Sequence, residues 1–143
     1  MTISLDTAIK LKQAGLAWTP QTHDFFAIPD VEMDEKIFAM SDMTVSMEVL
    51  DGYQAITFNG AVEWALDFIY KSDAIWLPTE SQLRNLLVSY LGAEPKMMLQ
   101  TSIGGYVVTI THQDSRQPFE GITAEEAYAA AILATLDQND QSS

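Results

Sequence analysis

The sequence predicts an α+β fold, a mainly antiparallel sheet with helices packed on it, in the order α-β-β-β-β-α-α-β-β-α. Three observations predict it. Apolar residues recur at helical spacing in four segments, and with a period of two between Lys36 and Asn59. The strand-like segments come in runs rather than alternating with helices, which disfavours a parallel sheet. Asp51-Gly52 and Gly104-Gly105 are hairpin signals that join neighbouring runs. With 143 residues, 48% hydrophobic and 19% charged, the composition is that of a globular chain. The expected organisation is one α+β domain over residues 1–137, with 138–143 as a frayed polar tail.

The elements follow in order. Leu5, Ala8, Ile9 and Leu16 recur at helical spacing, with Ser4 as N-cap and Gly15 as stop, so residues 5–14 read as a short amphipathic helix. Pro20 pushes Thr19 out of the helical region. Residues 24–28 form an extended segment closed by Pro29, and 37–40, 45–49 and 55–58 read as strands. Val45, Met47 and Val49 alternate with Ser46 and Glu48, the pattern of a sheet with one wet face. Val62, Ala65, Leu66, Ile69 and Tyr70 then give the apolar stripe of a second helix, opened by Asn59-Gly60.

Ala74 to Leu77 is a short apolar run ended by Pro78. Thr79-Glu-Ser-Gln82 has the form of a capping box, ahead of a helix with Leu83, Leu86, Leu87, Tyr90 and Leu91 on one face. Residues 97–101 and 106–111 read as a hairpin, and Gln113 to Pro118 as a polar loop. Thr123-Ala-Glu-Glu126 is another capping box, starting an alanine-rich helix to about Leu136, slim enough to lie close on a sheet.

Several chemistries are excluded. There are no cysteines, hence no disulfides, thiolate metal sites or cysteine nucleophiles. No Walker loop, no Gly-x-Gly-x-x-Gly and no Gly-x-Ser-x-Gly elbow is present. Nothing local pairs His23 or His112 with a serine, so both read as partly exposed loop and strand-end residues. Asp30, Glu32 and Asp34 have the spacing of the first EF-hand ligands, but Glu35 stands where the turn needs Gly and Ser41 where the loop needs Glu. The run reads as a solvated acidic loop, with a weak divalent-cation site as the alternative. No catalytic residue, metal ligand or cofactor is assigned.

The N-terminus has no apolar stretch of the roughly 7–15 residues a signal peptide needs. The longest apolar run, Ala127 to Ala134, is far short of the roughly 20 residues that span a bilayer. The expected location is cytoplasmic.

Charge is the most informative feature. The formal net charge is −13, which gives no general field to attract a phosphate backbone. Residues 13–70 hold ten acids against Lys36 alone, a net −9, while 71–143 hold −5. The excess is densest from Asp30 to Asp51. It is either a surface that keeps the protein soluble or a face that meets a basic partner. Aromatics in or near loops, Trp18, Phe25, Phe26 and Tyr53, could anchor such an interface or fill the core. Met33, Met40, Met43 and Met47 suggest adaptable packing, or a groove that accepts varied partners. The candidate interaction residues are therefore Asp30, Glu32, Asp34, Glu35, Trp18, Phe26 and Tyr53.

Ile56-Thr-Phe-Asn-Gly60, Glu63-Trp-Ala-Leu-Asp67, Ile75-Trp-Leu-Pro-Thr-Glu80 and Gln82-Leu-Arg84 resemble a family of small uncharacterised bacterial proteins, some labelled "pilus assembly protein". Phe26-Ala-Ile-Pro-Asp30, Ser41-Asp-Met43 and Glu125-Glu-Ala-Tyr128 extend the resemblance over most of the chain. It brings no catalytic residues to carry over. The expected function is that of a small acidic non-enzymatic binding or accessory protein acting through its acidic strand half on a protein with a basic surface, without direct nucleic-acid or membrane binding. The alternatives are a phage-type acidic antagonist mimicking nucleic acid, and a small-ligand binder or hydrolase using paired carboxylates.

Overall fold

A computed structural model describes residues 3–29, 38–40, 45–58 and 68–141. The chain is α+β, with three antiparallel three-stranded sheets and three α-helices among the described residues. Its residues gather into two compact units, one made of Met1–Leu16 with Pro78–Ser143 and the other of Ala17–Leu77.

The first unit holds α1 (Leu5–Gln13), α2 (Glu80–Leu91), β7 (Lys96–Ser102), β8 (Gly105–His112), β9 (Ser115–Gly121) and α3 (Ala124–Gln141). Strand order is β7-β8-β9. Helix α3 lies over β8 and β9, and both α1 and α2 pack on α3. Its core joins Leu11, Leu83, Leu87, Val108, Ile110, Ala127, Ala131 and Ile132, all buried. The caps read at Ser4 and Thr79 are in place. The Ser4 hydroxyl accepts from the Thr7 N–H, and Thr79 and Gln82 form the reciprocal capping box.

The alanine profile of α3 has the consequence its sequence suggests. A Cβ on Gly121 would fall on the backbone N of Ala127, and one on Gly105 on the carbonyl O of Gly121. The first turn of α3 is thus seated directly on Gly121, where no side chain has room, and Gly105 is closed in the same way by the backbone of β9.

Residues 113–118, expected as a polar loop, instead turn at Gln113 and enter β9, which pairs with β8 from Ser115 opposite His112 to Gly121 opposite Tyr106. The segment shows no apolar alternation because it is an edge strand, largely exposed, with Pro118 in its middle. Helix α3 also runs on to Gln141, past Leu136 and into the tail expected to fray. No Gly or Pro interrupts 124–141, so the hydrogen-bond ladder continues although apolar burial has ended.

The second unit holds β1 (Phe25–Ala27), β2 (Phe38–Ala39), β3 (Val45–Leu50), β4 (Tyr53–Phe58), β5 (Phe68–Tyr70) and β6 (Ile75–Trp76), with a 3-10 turn at Lys71–Asp73. Strand orders are β2-β1-β6 and β3-β4-β5. Asp51 and Gly52 both have positive φ, 53° and 84°, as the two-residue turn between β3 and β4 requires. The sequence expects Phe68–Tyr70 to end a helix. They pair with β4 instead, Ile69 opposite Ile56 and Tyr70 opposite Ala55. Aromatic and β-branched residues fit a pleated ladder at least as well as a helix, and the open edge of β4 decides between them. The earlier part of that expected helix, 59–67, lies outside the described residues.

Candidate functional site

Two of the sequence candidates anchor the core of the second unit rather than a surface. Phe26 is fully buried, Trp18 is 7% exposed, and both join Ile28, Phe38, Met40, Ile56 and Ala74 in one cluster. The Trp18 ring lies nearly parallel to that of Trp76, 6.3 Å away, and Phe26 contacts both Trp18 and Phe38. Trp18 and Phe26 are therefore corrected from interface anchors to core. The physical reason is visible at Asp24, a buried carboxylate whose Oδ2 accepts from Trp18 Nε1 at 2.9 Å and from the Gln21 N–H at 3.0 Å. That pairing satisfies the indole N–H and lets the whole ring leave water. Met40 and Met47 pack on the same cluster, in the adaptable-packing role. Met33 and Met43 lie outside the described residues. So do Asp30, Glu32, Asp34 and Glu35, with the cation-site alternative read from them.

Tyr53 stands differently. It opens β4 at 69% exposure, and its ring meets Tyr70 edge-on at 5.8 Å. Registry puts Glu48 opposite Ala55 and Ala55 opposite Tyr70, so these three side chains stand in one row on one face of the sheet. Tyr53, two residues before Ala55, shares that face. Ala55 itself is fully buried between them. The result is a tyrosine pair beside an exposed carboxylate, with exposed Asp51 in the adjoining turn.

Sequence reasoning named Tyr53 but missed Tyr70 and Glu48. The Asp51-Gly52 turn already fixes Glu48 opposite Ala55. Tyr70 was hidden by its helical spacing with Val62, Leu66 and Ile69.

In the first unit an open groove of about 670 Å³ runs between α1, the end of β9 and α3, lined by Ser4, Thr7, Lys10, Glu120, Ile122 and Glu126 among others. Glu126 lines it from α3. The sequence motif assigns this residue to the cap of its own helix, and the Thr123 hydroxyl does accept from the Glu126 N–H. The carboxylate reaches across to α1, where Oε1 accepts from the Ser4 N–H at 2.9 Å and Oε2 from the Thr7 hydroxyl at 2.7 Å. One anion therefore serves the N-termini of two helices, where it complements both dipoles. Both oxygens are engaged in holding α1 to α3, a structural rather than a proton-transfer arrangement.

Both histidines are exposed, His23 in a turn at positive φ and His112 at the end of β8. Among the described residues no group of three His, Asp or Glu side chains is placed to hold a metal ion. No described helix is long and apolar enough to cross a membrane.

No family model, no curated protein and no solved structure matches this chain. The family resemblance read from its residues stands on those residues alone.

Proposed function

We propose that this protein is a non-enzymatic binding or accessory protein that recognises a partner with a basic surface through its acidic strand half. One observation carries the reading: exposed Tyr53 set edge-on against half-buried Tyr70, beside exposed Glu48 and Asp51, within the stretch that holds ten of the twenty acids. Aromatic side chains supply contact area at low entropic cost, and flanking carboxylates steer and orient a basic partner. Ile56 and Met47 of that hairpin pack with the buried Trp18–Phe26 cluster, which anchors it.

The test is recovery of partners from a lysate of the source cell, compared between the native chain and the variants Tyr53→Ala and Glu48→Lys. A specific partner is expected to lose about 30-fold or more in affinity with Tyr53→Ala, the scale of an aromatic hot spot. Binding should also weaken between about 0.1 and about 1 M salt, as the Debye length falls from about 10 to about 3 Å. Partners bound equally by all three proteins, or none recovered at low salt, would overturn the proposal.

A further inference from the structure

The two edges of the β7-β8-β9 sheet are treated differently. At one edge, β9 carries Pro118 in the middle of the strand and is packed by α3. Proline removes a ladder donor, so further pairing at this edge is disfavoured. At the other, β7 runs for seven residues, Lys-Met-Met-Leu-Gln-Thr-Ser, with no proline and no acid. It pairs with β8 residue for residue from Lys96 opposite Thr111 to Ser102 opposite Gly105, without a bulge. Lys96, Met98, Gln100, Thr101 and Ser102 are exposed, Met98 at 54% and Ile103 in the adjoining turn completely. Among the described residues β8 is its pairing partner. A long, unbulged, uncapped edge of this kind is a template for strand addition.

Charge selects the occupant. Glu94 and Asp114 bound a run of 19 residues without an acid, the longest such run in a chain of twenty acids, and it contains the whole β7–β8 hairpin. A basic partner would gain nothing from this surface. A second copy of this chain, at −13 overall, meets Lys96 and no carboxylate along this hairpin. The strand is also compatible with itself. Antiparallel pairing about a two-fold axis at Leu99 sets Lys96 opposite Ser102, Met97 opposite Thr101 and Met98 opposite Gln100, with Leu99 meeting its own copy. The sole charge, Lys96, falls at opposite ends of the ribbon and meets no like charge.

We propose that β7 is a self-association edge, through which two copies of the chain join their three-stranded sheets antiparallel into one of six strands. The surface is separate from the Tyr53 hairpin and does not depend on it. The contact is small, so half-dimerisation is expected between about 10 µM and about 1 mM. Added salt strengthens this association by screening like charge, the opposite sign to binding of a basic partner.

Sedimentation equilibrium over that concentration range tests it. The weight-average mass should rise from 15.9 kDa towards twice that value, and rise further with salt. The double variant Met98→Glu/Gln100→Glu places like charges opposite each other in the dimer but leaves solvated side chains in the monomer. It should remain monomeric with an unchanged circular-dichroism spectrum. Mixing it with Met98→Lys/Gln100→Lys should restore a mixed dimer. A native chain that stays monomeric to about 1 mM, or a glutamate variant that dimerises as the native chain does, would overturn the proposal.

Discussion

Three polar side chains, two buried and one half-buried, are each held by specific hydrogen-bond partners. Asp24 is buried with the Trp18 indole N–H and the Gln21 backbone N–H on one oxygen. Glu126 spans from its own helix to Ser4 and Thr7, more than a hundred residues away in sequence. Tyr128, 3% exposed on α3, has its phenol pKa raised above 10.0 by burial, opposed by the nearby Arg84 guanidinium, which also hydrogen-bonds it. A phenol with a higher pKa folded than unfolded contributes fully below the unfolded value, near pH 10 here, and that contribution is lost as pH rises through the folded value. Tyr128→Phe removes both the titration and the Arg84 hydrogen bond. It should cost about 0.5–1.5 kcal/mol at pH 7 and flatten the loss of stability above pH 10. Urea unfolding of both proteins at neutral and alkaline pH checks this, and two parallel pH profiles would refute it.

At the scale of elements, local chemistry was readable where a turn or a cap left a specific mark. Ser4, Thr79 with Gln82, and Asp51-Gly52 each act as their residue types require, because these interactions close within four residues. Strand β9 left no such mark. An exposed edge strand has little apolar burial to write into the sequence, and Pro118 reads as a breaker unless its edge position is known. Strand β5 misled for the opposite reason, since Phe68-Ile-Tyr70 suits either period and the partner decides. Close approach is a further element-scale property. Gly121→Ala would drive a methyl into the backbone of Ala127, with no flexible side chain able to yield. The cost should be about 1–3 kcal/mol or more, read as a lower urea midpoint with an unchanged m-value; a midpoint equal to the native one would show that α3 can lift off the sheet freely.

Over the whole molecule, charge and burial follow different divisions. The unit Ala17–Leu77 carries most of the acid excess around a compact aromatic cluster, whereas the remaining unit holds the free edge and the acid-free hairpin. At −13 the folded chain repels itself. Raising salt from about 0.01 to about 0.15 M shortens the Debye length from about 30 to about 8 Å and should raise Tm by a few degrees. A Tm that stays level or falls would mean that attractive pairs outweigh the repulsion.

By itself the sequence determined the α+β class, the caps at Ser4 and Thr79, the hairpin turns and where the acid lies. These depend on period, on turn chemistry and on composition, all local along the chain. Tertiary structure alone decided that Trp18 and Phe26 are core while Tyr53 is surface, that Glu126 serves two helices, and that one sheet edge disfavours further pairing and the other is open. Each of these depends on which residues distant in sequence come to lie against a side chain or a strand, and burial and pairing are properties of that neighbourhood rather than of the residue.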